Sequence, residues 1–273
     1  MSARTGGPRF AGRGVLVTGS TGMGGSAARA LAAEGANVFV VARDSSRLAE
    51  LAAEVRAVGG SIATFAADLR DEAAVEAAFA AFDATVGRLD AVYGVAGISG
   101  RRFGDGPLHE ATLKGWETVL GANATSQFLV ARAAVRRMLA QERDGGWGRG
   151  TILLMSTQLA RHPGPQYFAT HGYAASKGAI EGLVRAAAAT YAPEGIRINA
   201  IAPSLIATPM SRRAQSDEAI VAYLVAKQPL AGGSIDAEAV TSVALHLLSP
   251  EARMVTGQIV AVDGGWSVSE PRA

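Results

Sequence analysis

A tyrosine and a lysine stand four residues apart in the segment YAASK, as Tyr173 and Lys177. In a helix this spacing places both side chains on one face. A free tyrosine has a pKa of about 10, so a base at neutral pH requires roughly 4 kcal/mol of phenolate stabilisation. A neighbouring ammonium supplies part of it, which makes the pair a candidate proton donor and acceptor. The spacing is also common in purely structural helices, so the pair needs support from the rest of the chain.

A glycine-rich segment, VTGSTGMGG at residues 17–25, follows the first apolar run and opens the first helical run. There Gly19 allows a tight turn, Gly22 lets the backbone approach a pyrophosphate, and Gly24 or Gly25 lets the helix pack on the strand. The helix N-terminus offers free N–H groups and partial positive charge to phosphate. The segment predicts a dinucleotide-binding loop; the alternative is an ordinary strand–turn–helix glycine cluster.

The end of the second predicted strand, VVARD, bears on which dinucleotide is bound. Folds that select NAD commonly carry a carboxylate about 20 residues after the glycines, where it accepts from the ribose 2′-OH. This chain has Ala42 there, followed by Arg43, whose guanidinium suits a 2′-phosphate. The pattern favours NADP(H); NAD(H) is the alternative, because Asp44 is close and Arg43 could simply be solvated. Asp68 and Leu69 are placed to hold the adenine, although Asp68 could equally cap the next helix.

Short apolar strands alternate with helical segments along nearly the whole chain, with no Pro/Ser-rich linker between them. Such alternation implies parallel pairing, and near-continuous apolar strands imply a sheet covered on both faces. The predicted fold is α/β, a Rossmann-type doubly wound seven-stranded parallel sheet flanked by helices on both faces. Asp71 or a near neighbour is predicted to cap the third helix. We predict a flexible tail at residues 1–11, one domain at 12–266 and a C-terminal tail at 267–273.

The composition argues against several other classes of protein. The 273 residues carry a formal net charge of +2 without a Lys/Arg block, which argues against nucleic-acid binding. There is no cysteine, and the four histidines show no pair at metal-ligand spacing, so no metal site is expected. The apolar stretches are too short for a membrane span, and the N-terminal residues lack an apolar signal core, so a cytoplasmic protein is expected.

Together these motifs closely resemble the short-chain dehydrogenase/reductase family, in its single-domain branch, over about residues 12–266. The resemblance is carried, in the family's order, by VTGSTGMGG, ARD, ADL, DAVYGVAG, WETVLGAN, GTILLMST, YAASK, GIRINAIAPSLIATPM and TGQIVAVDGG. It implies an NAD(P)(H)-dependent oxidoreductase that interconverts a ketone or aldehyde and a secondary alcohol by hydride transfer.

The resemblance also implies roles for individual residues. Tyr173 would be the acid/base, and Lys177 would hold the cofactor ribose and lower the pKa of the tyrosine. Thr157 would supply the hydroxyl that polarises the carbonyl, and Asn123 would anchor a proton-relay water. Thr208 would contact the nicotinamide carboxamide. The implied cofactor contacts are Gly19, Ser20, Thr21, Gly22, Met23, Arg43, Asp68, Leu69, Ala96, Gly97, Tyr173, Lys177, Pro203, Ser204, Ile206 and Thr208.

Three features depart from the family pattern. The glycine loop is one residue shorter than TGxxxGxG and fits TGxxGxxG instead. The family's NNAG reads GVAG at residues 94–97, so hydrogen bonds made by both asparagines in the central sheet must be made otherwise or lost. The position of the catalytic serine holds Thr157, whose methyl narrows the site. Ser156 stands beside it, but alternation along a strand would direct it elsewhere.

Substrate contacts are expected from the loops at residues 98–111, 158–172 and 204–228, because loops at strand ends carry binding groups. The segment between Thr157 and Tyr173 is about three residues longer than usual and adds bulk there. Arginines would suit an anionic substrate and aromatic residues a cyclic or hydrophobic one, and the sequence favours neither. The candidates are Phe103, Gln158, His162, Gln166, Phe168 and Met210, with Arg101, Arg102 and Tyr167 nearby.

Helix 174–192 is apolar nearly all round, and helix 124–140 is similar but more charged. Covering a sheet uses only one side of a helix, so the second apolar side predicts contact with another subunit. Both match the helices that pair in tetramers of the resembled family, and we predict a homotetramer or at least a dimer. A competing hypothesis is a dinucleotide-binding sensor or scaffold without catalysis. The departures favour it, whereas the intact Tyr173, Lys177 and Asn123 argue against it.

Overall fold

The computed structural model describes residues 7–270. Seven parallel strands form one sheet in the order β3-β2-β1-β4-β5-β6-β7. Strand order reverses between β1 and β4, so their carboxyl ends flank the crevice where such sheets bind ligands. The predicted doubly wound seven-stranded sheet is confirmed. The strands are β1 (Gly14–Thr18), β2 (Asn37–Ala42), β3 (Ser61–Ala66), β4 (Ala91–Gly94), β5 (Gly150–Met155), β6 (Ile196–Pro203) and β7 (Ile259–Val262).

Helices cover both faces of the sheet and divide the core into two large apolar clusters. The first, second and ninth helices contribute to one cluster, and the third, fifth and sixth contribute to the other. The helices are α1 (Gly22–Ala33), α2 (Ser45–Ala57), α3 (Glu72–Thr85), α4 (Leu113–Leu120), α5 (Ser126–Ala140), α6 (His171–Tyr191), α7 (Arg212–Ser216), α8 (Glu218–Lys227) and α9 (Ala237–Leu248). Asp71 caps α3 by accepting from two backbone N–H groups, as predicted.

The glycine-rich turn between β1 and α1 is tight. Gly19 has a φ of 95°, which a residue with a side chain rarely adopts. A Cβ on Gly24 would overlap the carbonyl oxygen of Gly19, so the first turn of α1 lies directly against the end of β1. The helix already begins at Gly22, and its free N–H groups therefore point into the crevice at the strand ends.

One turn of π-helix, Gly121–Thr125, joins α4 to α5. Two separate helices are predicted here, and the structure makes them one bent helical segment. Such single π-turns occur frequently at functional sites. Asn123 lies in the middle of this turn and is fully buried.

Two predicted boundaries need correction. Within the predicted N-terminal tail, Phe10 is fully buried, and its ring meets that of Trp147 edge-on. The guanidinium of Arg9 binds Glu34, so the described residues before residue 12 belong to the domain. At the other end, the ammonium of Lys227 donates to the backbone carbonyl of Ser269, which ties part of the predicted C-terminal tail to the domain. Residues 1–6 and 271–273 lie outside the described residues.

The segment 204–228 is predicted as a loop, but much of it is helical. Asp217 caps α8 by accepting from the N–H groups of Ala219 and Ile220. Ile220 and Leu224 are buried, and they pack with Trp266 in a third apolar cluster. Because the cluster includes a residue far along the chain, local sequence pattern gave little sign of it. These helices form a cover beside the carboxyl ends of the strands.

Candidate active site

Tyr173 and Lys177 lie in the first two turns of α6, beside the end of β5. The side chain of Lys177 is buried, and its Nζ donates to the carbonyl oxygen of Met155 at 2.8 Å. The same Nζ lies 5.7 Å from the centroid of the Tyr173 ring. The hydroxyl of Thr157, two residues after Met155, lies close enough to Tyr173 to affect its pKa. The fold thus brings a phenol, an ammonium and a hydroxyl together at one strand end.

Burial is the main influence on the pKa values of Tyr173 and Lys177. Burial lowers the pKa of Lys177 to about 7. Burial also raises the pKa of Tyr173 to about 12, and the nearby hydroxyl of Thr157 opposes that increase. The resemblance implies a tyrosine pKa lowered by the lysine, whereas burial acts in the opposite direction because it costs the phenolate its hydration. The arrangement favours a protonated phenol.

Asn123 connects the junction of α4 and α5 to α6. Its Oδ1 accepts from the N–H of Ile98 at 2.8 Å, and its Nδ2 donates to the carbonyl of Ile98 at 3.2 Å. The same Nδ2 donates to the hydroxyl of Ser176 at 3.0 Å, and Ser176 directly precedes Lys177. The side-chain amide is therefore fully used in holding the chain after β4 against α6.

Two hydroxyls follow β5, and they face different partners. Ser156 donates to Glu181 at 2.9 Å, and Glu181 is paired with Arg161 at 2.7 Å. The hydroxyl of Thr157 adjoins Tyr173, and it donates to the carbonyl of Pro203 at 3.2 Å. The side-chain directions therefore agree with the expectation that Thr157, and not Ser156, accompanies the tyrosine.

A hollow of about 330 Å³ lies at the carboxyl ends of β1, β2, β3 and β4. Eight of the predicted cofactor residues line it: Gly19, Ser20, Thr21, Arg43, Asp68, Leu69, Ala96 and Gly97. Sequence reasoning missed further lining residues, including Arg47, Arg70, Ile98 and Ser126. Only the fold shows that the first turn of α2 and the segment before α3 open onto this space.

Asp68 neither caps the next helix nor stands alone. Its carboxylate accepts from the guanidinium of Arg70, which lowers its pKa to about 2. Arg43 contributes to that lowering. The hollow therefore contains a paired carboxylate and the guanidinium of Arg43, which is exposed.

The remaining predicted cofactor residues lie around the other end of the glycine turn. The methyl of Thr208 is so close to the turn that a Cβ on Gly22 would lie 3.1 Å from it. The hydroxyl of Ser204 is buried and has no hydrogen-bond partner among residues 7–270. Met23 is partly buried and packs on the core, and Ile206 is almost fully buried. This arrangement fits an extended dinucleotide. It combines the glycine turn, a hollow that suits an adenosine and the unused hydroxyl of Ser204 beyond it.

The predicted substrate loops meet in an aromatic cluster. Tyr167 and Phe168 come from the loop before α6, Tyr223 from α8, and Trp266 from the segment after β7. The ring centroids of Tyr167 and Tyr223 lie 5.2 Å apart, and those of Phe168 and Trp266 lie 5.8 Å apart. The indole of Trp266 also donates to the carbonyl of His162 at 2.9 Å. Sequence reasoning missed Tyr223 and Trp266, because no local pattern links them to the loop.

Two arginines converge on this loop from opposite sides. Arg101 donates to the carbonyl oxygen of Tyr167 at 2.6 Å, and Arg213 donates to the same oxygen at 3.2 Å. Burial and the charge of Arg213 lower the pKa of Arg101. Among the other candidates, Phe103 and Met210 are exposed, and Gln166 donates to the hydroxyl of Tyr167. Gln158 is buried and donates to the carbonyl of Ala202, so it lies beneath the loop rather than on it.

Within residues 7–270 no group of three or more His, Cys, Asp or Glu side chains is arranged to hold a metal ion. None of the helices in this range has the length and apolar character needed to cross a bilayer.

Comparison with known proteins shows a family match and several relatives. Residues 17–267 match the family model described as Enoyl-(Acyl carrier protein) reductase. A gluconate 5-dehydrogenase of Gluconobacter oxydans is 33% identical over 258 residues, covering 93% of this chain and 94% of the relative. An inactive 2-(S)-hydroxypropyl-CoM dehydrogenase 2 of Xanthobacter autotrophicus is 34% identical, covering 87% and 98%. A gluconate 5-dehydrogenase of Burkholderia cenocepacia, solved in complex with NADP and tartrate, matches with a TM-score of 0.85 and 30% identity, covering 95% and 96%.

Proposed function

Because this chain belongs to the short-chain dehydrogenase/reductase family, we propose that it interconverts a carbonyl compound and a secondary alcohol with Tyr173 as the acid/base and NADP(H) as the preferred cofactor. The observation that carries the proposal is the meeting of Tyr173, Lys177 and Thr157 at the end of β5. Membership of the family makes the chain an oxidoreductase, and its dehydrogenases use NAD(P).

In the proposed reaction the bound nicotinamide supplies or accepts the hydride. The phenol of Tyr173 gives its proton to the carbonyl oxygen in reduction and takes it back in oxidation. Thr157 orients that oxygen, because its hydroxyl adjoins Tyr173. Lys177 contributes positive charge beside the ring when protonated, and this charge stabilises the phenolate.

The preference for NADP(H) rests on the hollow beside β2. Arg43 lines it, and Ala42 stands at the strand position where a carboxylate would repel a 2′-phosphate. Asp44 lines the same hollow, but its carboxylate accepts from the N–H of Arg47. Arg47 lines the same hollow but binds Glu50 at 2.7 Å. NAD(H) remains the nearer alternative. A dinucleotide-binding protein without catalytic activity is the alternative outside the enzymes. An inactive dehydrogenase among the relatives supports this alternative.

We further propose that the substrate is an anionic hydroxy or keto compound. Two guanidinium groups meet at one carbonyl oxygen, and neither has a carboxylate within ion-pair distance among residues 7–270. Bringing two like charges together is unfavourable, and the charge of Asp105 offsets this only in part at Arg101. An anion bound between Arg101 and Arg213 would relieve the remaining repulsion. Gluconate in the name of one relative and tartrate beside NADP in one neighbouring structure support the same chemistry.

A panel of keto acids and their methyl esters tests both the reaction and the substrate class. We expect NADPH-dependent reduction of at least one keto acid, with the matched ester much poorer. Arg101→Gln and Arg213→Gln should each lower kcat/KM for the acid about tenfold and leave the ester unchanged, since each removes one charge-assisted bond. Arg102→Gln and Arg212→Gln are neighbouring controls. Equal losses for acid and ester would contradict the anionic substrate, and no turnover of any compound would favour the non-catalytic protein.

We propose that the chain assembles as a homotetramer or dimer through the helices at 124–140 and 174–192. A second hollow of about 270 Å³ lies between them, lined by Ala124, Thr125, Phe128, Ala179, Ile180 and Leu183. Phe128 is 43% exposed there, which is high for a large aromatic side chain on a monomer surface. Gly178, Ala179 and Gly182 on the outer side of α6 are exposed and small, so a second helix can approach closely.

Sedimentation velocity tests the assembly. We expect native protein to sediment as a multiple of the 27.9 kDa chain. Phe128→Asp should shift it toward the single chain, because a charge in an apolar interface is costly to bury. Leu139→Asp, an exposed leucine near the end of α5, controls for the added charge. A native protein that sediments only as the 27.9 kDa species would contradict the proposal.

A further inference from the structure

The peptide group of Met155 lies between the central sheet and Lys177, and a side chain from α5 holds it. Gln127 is almost fully buried. Its Oε1 accepts from the N–H of Met155 at 3.0 Å, and its Nε2 donates to the carbonyl oxygen of Met155 at 3.2 Å. That oxygen is the one to which Lys177 donates at 2.8 Å. A glutamine and the lysine therefore share one acceptor.

Met155 needs this partner because its neighbouring strand has ended. The N–H of Ser156 bonds the carbonyl of Ile201 in β6, so the peptide groups of Met155 face the opposite side, toward β4. Pairing with β4 stops at Gly94. The next two N–H groups of that chain, of Val95 and Ala96, donate to the hydroxyl of Thr18 instead. The amide of Gln127 takes the place of the missing strand residue.

Gly94 leaves room for this amide. A Cβ at residue 94 would lie 2.9 Å from a methyl of Leu154 and 3.6 Å from Oε1 of Gln127. In the family pattern this position carries the first asparagine of NNAG, whose absence leaves hydrogen bonds of the central sheet to be made otherwise. Gln127 supplies two such bonds from the facing helix, in a space that a larger residue at 94 would occupy.

We propose that Gln127 is a positioning residue for Lys177: it fixes the Met155 carbonyl that holds the ammonium, and so replaces the missing asparagine. The proposal rests on the proposed function only in taking Lys177 as part of the catalytic group. Because both nitrogens bond one oxygen, a charge placed at residue 127 acts on Lys177 at short range. The titratable side chain of Tyr173 lies beside Lys177. Burial lowers the pKa of Lys177.

Gln141, at the end of the same helix, provides a matched control. Its Oε1 accepts from the N–H of Leu89 at 2.8 Å, and its Nε2 donates to the carbonyls of Leu89 and Arg149. It thus ties the chain before β4 to the chain before β5, at the end of the sheet away from the site. Substitutions at 127 and 141 remove the same kind of bridge, and only one of them adjoins Lys177.

The direct test follows Lys177 itself by NMR of ¹³C-labelled lysine. The chain has only three lysines, Lys114, Lys177 and Lys227, and Lys177→Arg assigns the signal. Gln127→Glu should raise the pKa of Lys177 by about one unit or more, because a nearby carboxylate favours the ammonium. Gln141→Glu should leave it unchanged. Equal titration of Lys177 in both variants would overturn the proposal, whether or not a substrate is known.

Turnover gives a second readout with neutral variants. Gln127→Leu should lower kcat about tenfold or more and change the substrate KM little, since a misplaced catalytic group slows the reaction more than it weakens binding. Gln141→Leu should lose as much thermal stability as Gln127→Leu but keep the native kcat. If both leucine variants lose kcat in proportion to their stability, Gln127 is merely structural. If native protein turns over no carbonyl compound, the proposed function fails while the lysine titration still decides the role of Gln127.

Discussion

Replacing Tyr173 by phenylalanine is expected to lower kcat about 10³-fold or more and to leave the Kd for NADP(H) within about threefold of the native value. Phenylalanine keeps the ring beside Lys177 and removes only the hydroxyl that gives and takes the proton. Without it, the developing oxyanion has Thr157 as its hydroxyl partner, and no group in the same place can supply a proton.

Initial rates with the substrate found in the keto-acid panel measure kcat, and quenching of the three tryptophans measures cofactor binding. Tyr191→Phe is the control, because Tyr191 lies at the far end of the same helix and packs on the core. Native-like turnover of Tyr173→Phe would remove the tyrosine from the mechanism. Loss of cofactor binding together with turnover would assign it to the binding site.

The pH dependence of native enzyme follows from the same side chain. Reduction requires a protonated phenol, which is available below its pKa. Since the protein alone raises that pKa to about 12, protonation of Tyr173 does not limit reduction at neutral pH. Oxidation requires the phenolate, so its rate should rise with pH until the group has ionised. Lys177, with a pKa of about 7, loses its stabilising charge over the lower part of this range.

Local sequence pattern predicted the elements whose causes are local. Asp71 caps α3 because a carboxylate suits the free N–H groups of the next residues, and that signal needs no tertiary contact. The order of strands and helices likewise determined the parallel sheet. Alternation along β5 predicted that Ser156 would point away from the tyrosine, and Ser156 donates to Glu181.

The features missed from sequence depend on contacts between distant segments. Phe10 is buried because Trp147 lies against it, although the flanking residues read as a loose tail. Trp266 closes the aromatic cluster from beyond the last strand. Gln127 stands in an ordinary helical pattern. Its amide bonds the peptide group of Met155 because β4 ends at Gly94 and leaves that group without a strand partner.

Replacing Arg43 by alanine is expected to lower the ratio of kcat/KM for NADPH to that for NADH about 10- to 100-fold, mostly through the value for NADPH. A charge-assisted hydrogen bond is worth about 1.5–3 kcal/mol, and the 2′-phosphate is the only part of NADPH that NADH lacks. Arg43 lines the hollow at the end of β2, where the sequence offers Ala42 in place of a carboxylate.

Variants of two further arginines distinguish recognition of the 2′-phosphate by Arg43 from a general effect of removing positive charge. Arg47→Ala should change the ratio less, because its guanidinium in the same hollow is already bonded to Glu50. Arg29→Ala should not change it, since Arg29 binds Glu54 on the surface. Equal losses with both cofactors in Arg43→Ala would show that this arginine does not read the 2′-phosphate. A native preference for NADH would instead leave Ala42 and Arg43 without the role proposed for them, and Asp44 would become the residue to test against the ribose.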